Sequence, residues 1–198
     1  VKSLIGRFAP AVLLAGFSML TANAAVITFS GCTNGGGFAG PVAEGAFSYS
    51  AFSGNLFCDT DGNTGNDLEG TAGSGGGVLD IFRNDVAGGV FTFNGSDIKF
   101  EFTQAVSVTF VGLLNGVTKG TDVFTTAADS SWTSKTAVNL SGVSINELRI
   151  TLIGPEGGAG DVDNVGVTAG ASVPEPSSWL LLSGGLAGLL ALRRRHSA

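Results

Sequence analysis

Residues 90–102 read VFTFNGSDIKFEF, and their periodicity decides the fold class. Ile98, Phe100 and Phe102 alternate with Lys99 and Glu101, the two-residue period of an extended strand with one dry and one wet face. The alternation returns in VSVTF, with Val106, Val108 and Phe110 inward, and in LRITL, with Leu148, Ile150 and Leu152 inward. GVFTF and NVGVT are shorter versions. Asn94-Gly95 and Asn115-Gly116 stand between such runs, where a tight hairpin needs residues that tolerate positive φ. Short, evenly spaced strands separated by glycine predict an all-β domain, an antiparallel β-sandwich of jelly-roll type. Helical periodicity has no support in this body, and SGVSINEL offers one turn at most.

Both ends of the chain differ from this pattern. Lys2 and Arg7 precede an apolar run over residues 8–20, and Ala22 and Ala24 flank Asn23 as the small residues a signal peptidase inspects. Residues 1–24 therefore read as a removable secretory leader, an N-terminal signal helix. Residues 173–198 read VPEPSSWLLLSGGLAGLLALRRRHSA. The apolar stretch 179–192 has 14 residues. As a helix it reaches about 21 Å, against a hydrocarbon core of about 30 Å. Gly184, Gly185 and Gly188 weaken its helical propensity further.

Between the two ends lies one domain, residues 25–170, long enough to bury a core. It holds five basic residues (Arg83, Lys99, Lys119, Lys135 and Arg149) against fifteen acidic ones, a formal charge of −10. Such a surface disfavours nucleic acid and anionic lipid as partners. Cys32 and Cys58 are the two cysteines of the chain, and outside the cytoplasm such a pair is most economically a disulfide.

Two glycine-rich passages interrupt the strands, residues 31–40 and residues 59–77. The second, DTDGNTGNDLEGTAGSGGG, reads as one long loop. Asp59, Asp61, Asn63 and Asp67 occupy its relative positions 1, 3, 5 and 9, the oxygen-ligand spacing of a calcium loop, so a structural Ca²⁺ is one reading. The match is incomplete: Thr64 stands where such a loop wants glycine and Gly70 where it wants glutamate, and solvated turn residues are the competing reading.

Catalysis is limited by what the body lacks. The single histidine is His196, in the tail, so serine or cysteine nucleophiles activated by histidine, histidine-bearing zinc sites and histidine acid/base chemistry are excluded from the body. A glycosidase-like carboxylate pair is what remains. Glu44, Glu69, Glu101, Glu147 and Glu156 are its nominal members, none in a recognisable catalytic context. No catalytic residue is assigned, and no cofactor is required. For sugar stacking the candidate aromatics are Trp132, set among polar residues in DSSWTSK and read equally well as a partly buried edge residue, and Tyr49. The phenylalanines are expected mostly in the core.

The order of Val173, Pro174, Glu175 and Pro176, a short apolar helix, then Arg193, Arg194 and Arg195 resembles the PEP-CTERM sorting signal of bacterial exopolysaccharide-associated proteins. The resemblance covers residues 171–198 and implies a temporary anchor. The arginines would stay on the cytoplasmic side, as the positive-inside rule requires. The helix would sit in the inner membrane under mismatch strain. Exosortase would then process the chain near the two prolines, which keep that site extended. The body looks like the β-sandwich domains that commonly precede this tail, on VFTFNGSDIKFEF, VSVTFVGLLNGVTKG and GDVDNVGV. In related carbohydrate-binding jelly rolls, acidic residues near the last strand help hold calcium, which here would implicate Asp161 or Asp163. The Asp163-Asn164 pair reads otherwise as a turn entering the final strand.

These readings converge on an exported, non-catalytic surface or extracellular-matrix protein. It would be trimmed by signal peptidase and exosortase and contribute to exopolysaccharide or biofilm structure by adhesion or glycan contact. A secreted glycan-processing enzyme and an inner-membrane-anchored periplasmic binding module are the alternatives.

Overall fold

The computed structural model describes residues 23–33, 40–54, 56–60, 62, 65–71, 76–101, 107–125, 131–153 and 159–170. Among them the regular structure is extended throughout: β1 (Asn23–Ile27), β2 (Val42–Glu44), β3 (Phe47–Gly54), β4 (Leu56–Asp59), β5 (Asp67–Thr71), β6 (Gly77–Arg83), β7 (Phe91–Glu101), β8 (Ser107–Leu114), β9 (Val117–Thr125), β10 (Thr133–Thr136), β11 (Glu147–Ile153) and β12 (Ala159–Ala169). The expected leader and tail helices, with Phe102 and Val106, lie outside the described residues. Asn23 and Ala24, the last two residues of the expected leader, belong to β1 and pair with Ala169 and Thr168.

Every pairing is antiparallel. Sheet A runs β10-β7-β12-β5-β4, and sheet B runs β2-β3-β6-β11-β8-β9. In sheet A, β7 follows one edge of β12, while β5 and β1 take successive stretches of the other. The strands from β5 onward order as β5-β12-β7-β10 over β6-β11-β8-β9. The chain changes sheet at each step except the β8–β9 hairpin, which is the double Greek key of a jelly roll.

The dry faces meet as the alternation requires. Ile98, Phe100, Val108, Phe110, Leu148, Ile150 and Leu152 are all buried. Phe93 stacks on Phe110 with ring centroids 4.8 Å apart, and Phe47 meets Phe91 edge-on at 5.3 Å, joining the two sheets. Tyr49 is buried as well, edge-on to Phe29 at 5.0 Å, so it is a core residue and no platform for sugar. Burial, with the charge of Glu44 nearby, pushes its hydroxyl pKa up. At Gly70 a Cβ would come 2.6 Å from the Leu152 Cβ, so the sheets close at this point because β5 carries no side chain there.

Several local expectations change. Asn115-Gly116 does turn the β8–β9 hairpin, with φ of 54° and 76°. Asn94-Gly95 does not turn; it lies inside β7, where Gly95, with φ of 150°, faces the Lys135 carbonyl and forms a bulge against β12. Asp163-Asn164 likewise lies inside β12, with Asn164 at φ 49° beside the matching bulge. Residues 59–77 are not one loop, because β5 runs through them as a central strand of sheet A.

Polar anchors hold the connections. Asp122, buried on β9, accepts hydrogen bonds from the backbone N–H groups of Val138, Asn139 and Leu140 at 3.1, 2.8 and 3.2 Å, pinning the β10–β11 connection. Arg83, at the end of β6, donates to the carbonyls of Val90 (3.1 Å) and Gly170 (2.7 Å) and forks onto Asp85. That fork holds the Asp85 carboxyl below the ordinary aspartate range.

Cys32 and Cys58 form a disulfide with Cα atoms 5.9 Å apart, tying the segment after β1 to β4 across a sequence separation of 26 residues. Replacing both cysteines by serine is expected to lower unfolding stability by about 3–4 kcal/mol, the chain-entropy value for a loop of this size. Urea unfolding of the two forms measures it; an unchanged midpoint would contradict the assignment of a stabilising role.

Candidate functional site

The aligned bulges on β7 and β12 set what the outer surface of sheet A displays. Below them Phe91, Phe93, Val165 and Val167 point into the sandwich; above them Ile98, Phe100 and Val162 do. One inserted residue per strand shifts the parity, and Asp97, Lys99, Asp161 and Asp163 therefore point to the opposite, outer side of the sheet, where all four are buried. Two cross-strand rows result. The first runs Ser134, Asp97, Asp163 across β10, β7 and β12, with Asp67 and Asp59 paired further along on β5 and β4. The second runs Lys99, Asp161, Glu69, Phe57 across β7, β12, β5 and β4.

The second row carries the more unusual chemistry. Lys99 and Asp161 are register partners, their Nζ and Oδ2 atoms 3.4 Å apart and their side chains 4% and 2% exposed. The Lys99 Nζ also lies 5.1 Å from the centre of the Trp132 ring, which precedes β10 and is half-buried. Alternation places Lys99 on the wet face; in the structure it is sealed beneath the indole and paired with a carboxylate. The row thus has a buried ionic floor. Its accessible groups are Trp132 at one end and Glu69 and Phe57, both partly exposed, at the other. Four strand spacings separate the two aromatics, about 19 Å.

In the first row, Asp97 accepts hydrogen bonds from the Ser134 hydroxyl and from the Asn164 side-chain amide (2.8 Å). The Asp163 carboxylate accepts the Asn164 backbone N–H at 2.6 Å, and the Ser96 hydroxyl donates to the Asp163 carbonyl at 2.8 Å. These bonds stabilise the Asn164 bulge.

Of the calcium-loop residues, two are described. Asp59 and Asp67 are register partners on β4 and β5, Asp67 fully buried, while Asp61 and Asn63 lie outside the described residues. Among the described residues no three His, Cys, Asp or Glu side chains are grouped to hold a metal ion. The nominal carboxylates are dispersed. Glu44 accepts hydrogen bonds from the Thr28 N–H and hydroxyl, both at 2.8 Å. Glu147 pairs with Arg149, which also forks onto Asp80. Glu69 and Glu101 belong to sheet A, and Glu156 lies outside the described residues. Phe57 was missed by the expectation that phenylalanines fill the core. Its neighbour Cys58 points inward to its disulfide, which alone puts Phe57 outward.

Residues 172–195 match the family described as the PEP-CTERM protein-sorting motif, a span that includes Val173, Pro174, Glu175, Pro176 and Arg193, Arg194, Arg195. The chain carries a PEP-CTERM sorting signal. The PEP-CTERM match marks an exported protein with a C-terminal membrane-anchoring signal and implies processing by exosortase. It lies outside the described residues. No curated protein sequence matches the chain. Solved structures similar to the body include a family 29 carbohydrate-binding module from Piromyces equi (TM-score 0.46, 9% identity, covering 76% of this chain and 93% of that one). A mutant of a second such module complexed with mannohexaose is also similar (TM-score 0.40, 13% identity, 76% and 93%). So is a DUF4465 family protein from Bacteroides caccae (TM-score 0.44, 11% identity, 75% and 100%).

Removing one member of the Lys99–Asp161 pair leaves the other charge in a dry site. Lys99→Met and Asp161→Leu are each expected to destabilise the domain by about 3 kcal/mol. The double replacement should lose less than the two losses combined, and a thermodynamic cycle by denaturant unfolding reads the coupling. Strict additivity would show that the pair does not interact.

Proposed function

We propose that this protein is a non-catalytic surface or matrix component, exported and sorted through its PEP-CTERM tail, that contributes to exopolysaccharide or biofilm structure by glycan contact. The contact would be made by the outer face of sheet A. The observation that carries this reading is the row from Trp132 over Lys99 and Asp161 to Glu69 and Phe57. An indole offers its face to the C–H groups of a sugar ring, and the ionic floor fixes the indole in place. Glu69 adds an acceptor for sugar hydroxyls. The acid-rich body favours a neutral glycan over an anionic one. The non-catalytic part of the reading rests on the histidine-free body and on the structural partners of Glu44 and Glu147.

Affinity electrophoresis through gels containing glucomannan tests the contact. Trp132→Ala is expected to weaken retardation at least tenfold, equivalent to about 1.4 kcal/mol. Undiminished retardation of that variant would place the glycan elsewhere, and release of oligosaccharides during incubation would favour the glycan-processing enzyme. Mass spectrometry of the protein isolated from its own culture tests the sorting half. The mature chain is expected to end before Arg193, and an intact Arg193, Arg194, Arg195 terminus in membranes would favour the anchored periplasmic module.

A further inference from the structure

The two chain ends leave the domain side by side. β1 and β12 are antiparallel neighbours, with Asn23 opposite Ala169, so the chain enters and departs at one end of sheet A. The departure point is held firmly. Gly170 donates its N–H to the Val90 carbonyl at 2.8 Å, and its own carbonyl accepts from Arg83 at 2.7 Å. The Arg83 side chain is 5% exposed and is neutralised by Asp85.

Strand directions define the rest of this end. It carries the connections at residues 45–46, 84–90, 115–116 and 137–146, because Phe47 pairs with Arg83, Leu114 with Val117, and Ile145 bridges to Phe91. Those four connections hold a single charged residue, Asp85, already paired with Arg83. Glu44 and Glu147 stand at the strand ends beside them, Glu147 paired with Arg149, so the connections themselves are the part of this end with little charge. Val117, 59% exposed, projects beside the hairpin turn. The row from Trp132 to Phe57 lies toward the opposite end, Asp161 standing eight residues of β12, about 26 Å, from Ala169.

From this arrangement we infer that the end of the sandwich carrying Asn23, Gly170 and Val117 is a docking surface for the phospholipid bilayer, on which the folded domain stands end-on until its tail is cut. The inference rests on the reading of the C-terminal apolar segment as a temporary membrane anchor. Chain length supports the orientation. Eight residues lie between Gly170 and Trp179, a span of at most about 30 Å. One tether of that length, leaving the end of β12, holds this end of the sandwich nearest the lipid. Orientation is consistent as well, since Arg193, Arg194 and Arg195 on the cytoplasmic side would leave the domain on the outer side of the bilayer. Connections with little charge approach anionic headgroups with less repulsion than a carboxylate-rich face would meet. The glycan-contact row then points away from the membrane.

The full chain, with its disulfide intact, is reconstituted into vesicles of phosphatidylethanolamine and phosphatidylglycerol after introducing one exposed cysteine, Ala87→Cys at the docking end or Thr125→Cys at the far end, for a fluorophore. Headgroup-attached nitroxide lipid is expected to quench the probe at position 87 several-fold more than the probe at position 125. Equal quenching, or stronger quenching at 125, in protein that floats with the vesicles overturns end-on docking while leaving the anchor reading intact. Failure to float with the vesicles overturns the anchor reading, and the docking surface with it.

Discussion

The rest of the structure depends on the parity shift that β12 and β7 share. An extended strand can show its apolar residues to the core only by keeping strict alternation, yet β12 keeps Val162 inside together with Val165, Val167 and Ala169, which no straight strand allows. The residue gained at Asn164 resolves the conflict, and the bulge at Gly95 on the neighbouring strand matches it. Without the pair of bulges, either Asp161 and Asp163 or the valines below them would point the wrong way. The lower half of β12 is thereby free to bind β1, and the upper half to carry the acidic row.

A second constraint follows from charge. Fifteen carboxylates against five basic groups make a body that repels itself, so where its few cations go is decisive. Arg149 is held by Asp80 and Glu147 on sheet B and lies 3.9 Å over the Phe52 ring; Arg83 is spent at the departure of β12; Lys99 is enclosed with Asp161. Each cation joins neighbouring strands or a strand to a loop, and none of these three is left on an open acidic surface.

Much of the architecture was legible because burial leaves a period-two trace. β7, β8 and β11 could be placed from Ile98, Phe100, Val108, Phe110, Leu148, Ile150 and Leu152, and the Asn115-Gly116 turn from its tolerance of positive φ. The same tolerance misled at Asn94-Gly95 and Asp163-Asn164, since a bulge and a turn ask for the same residues. β5 escaped notice because Leu68 is its one large apolar residue and Gly70 serves by having no side chain. Alternation told which side Lys99 takes but not that Trp132 would cover it, since residues distant in sequence make that roof. The sorting motif was readable, its residues being contiguous and ordered along the chain.

The clamp at Gly170 also has a mechanical meaning. A pull on the uncut C-terminal tail would enter through Gly170 and run directly into β12, which β7 flanks on one edge and β5 and β1 on the other. Load directed along such an interior strand is shared by many ladder hydrogen bonds at once, in shear, and does not peel them singly as it would at a free edge. Tension applied at Gly170 would therefore meet a strand braced on both edges.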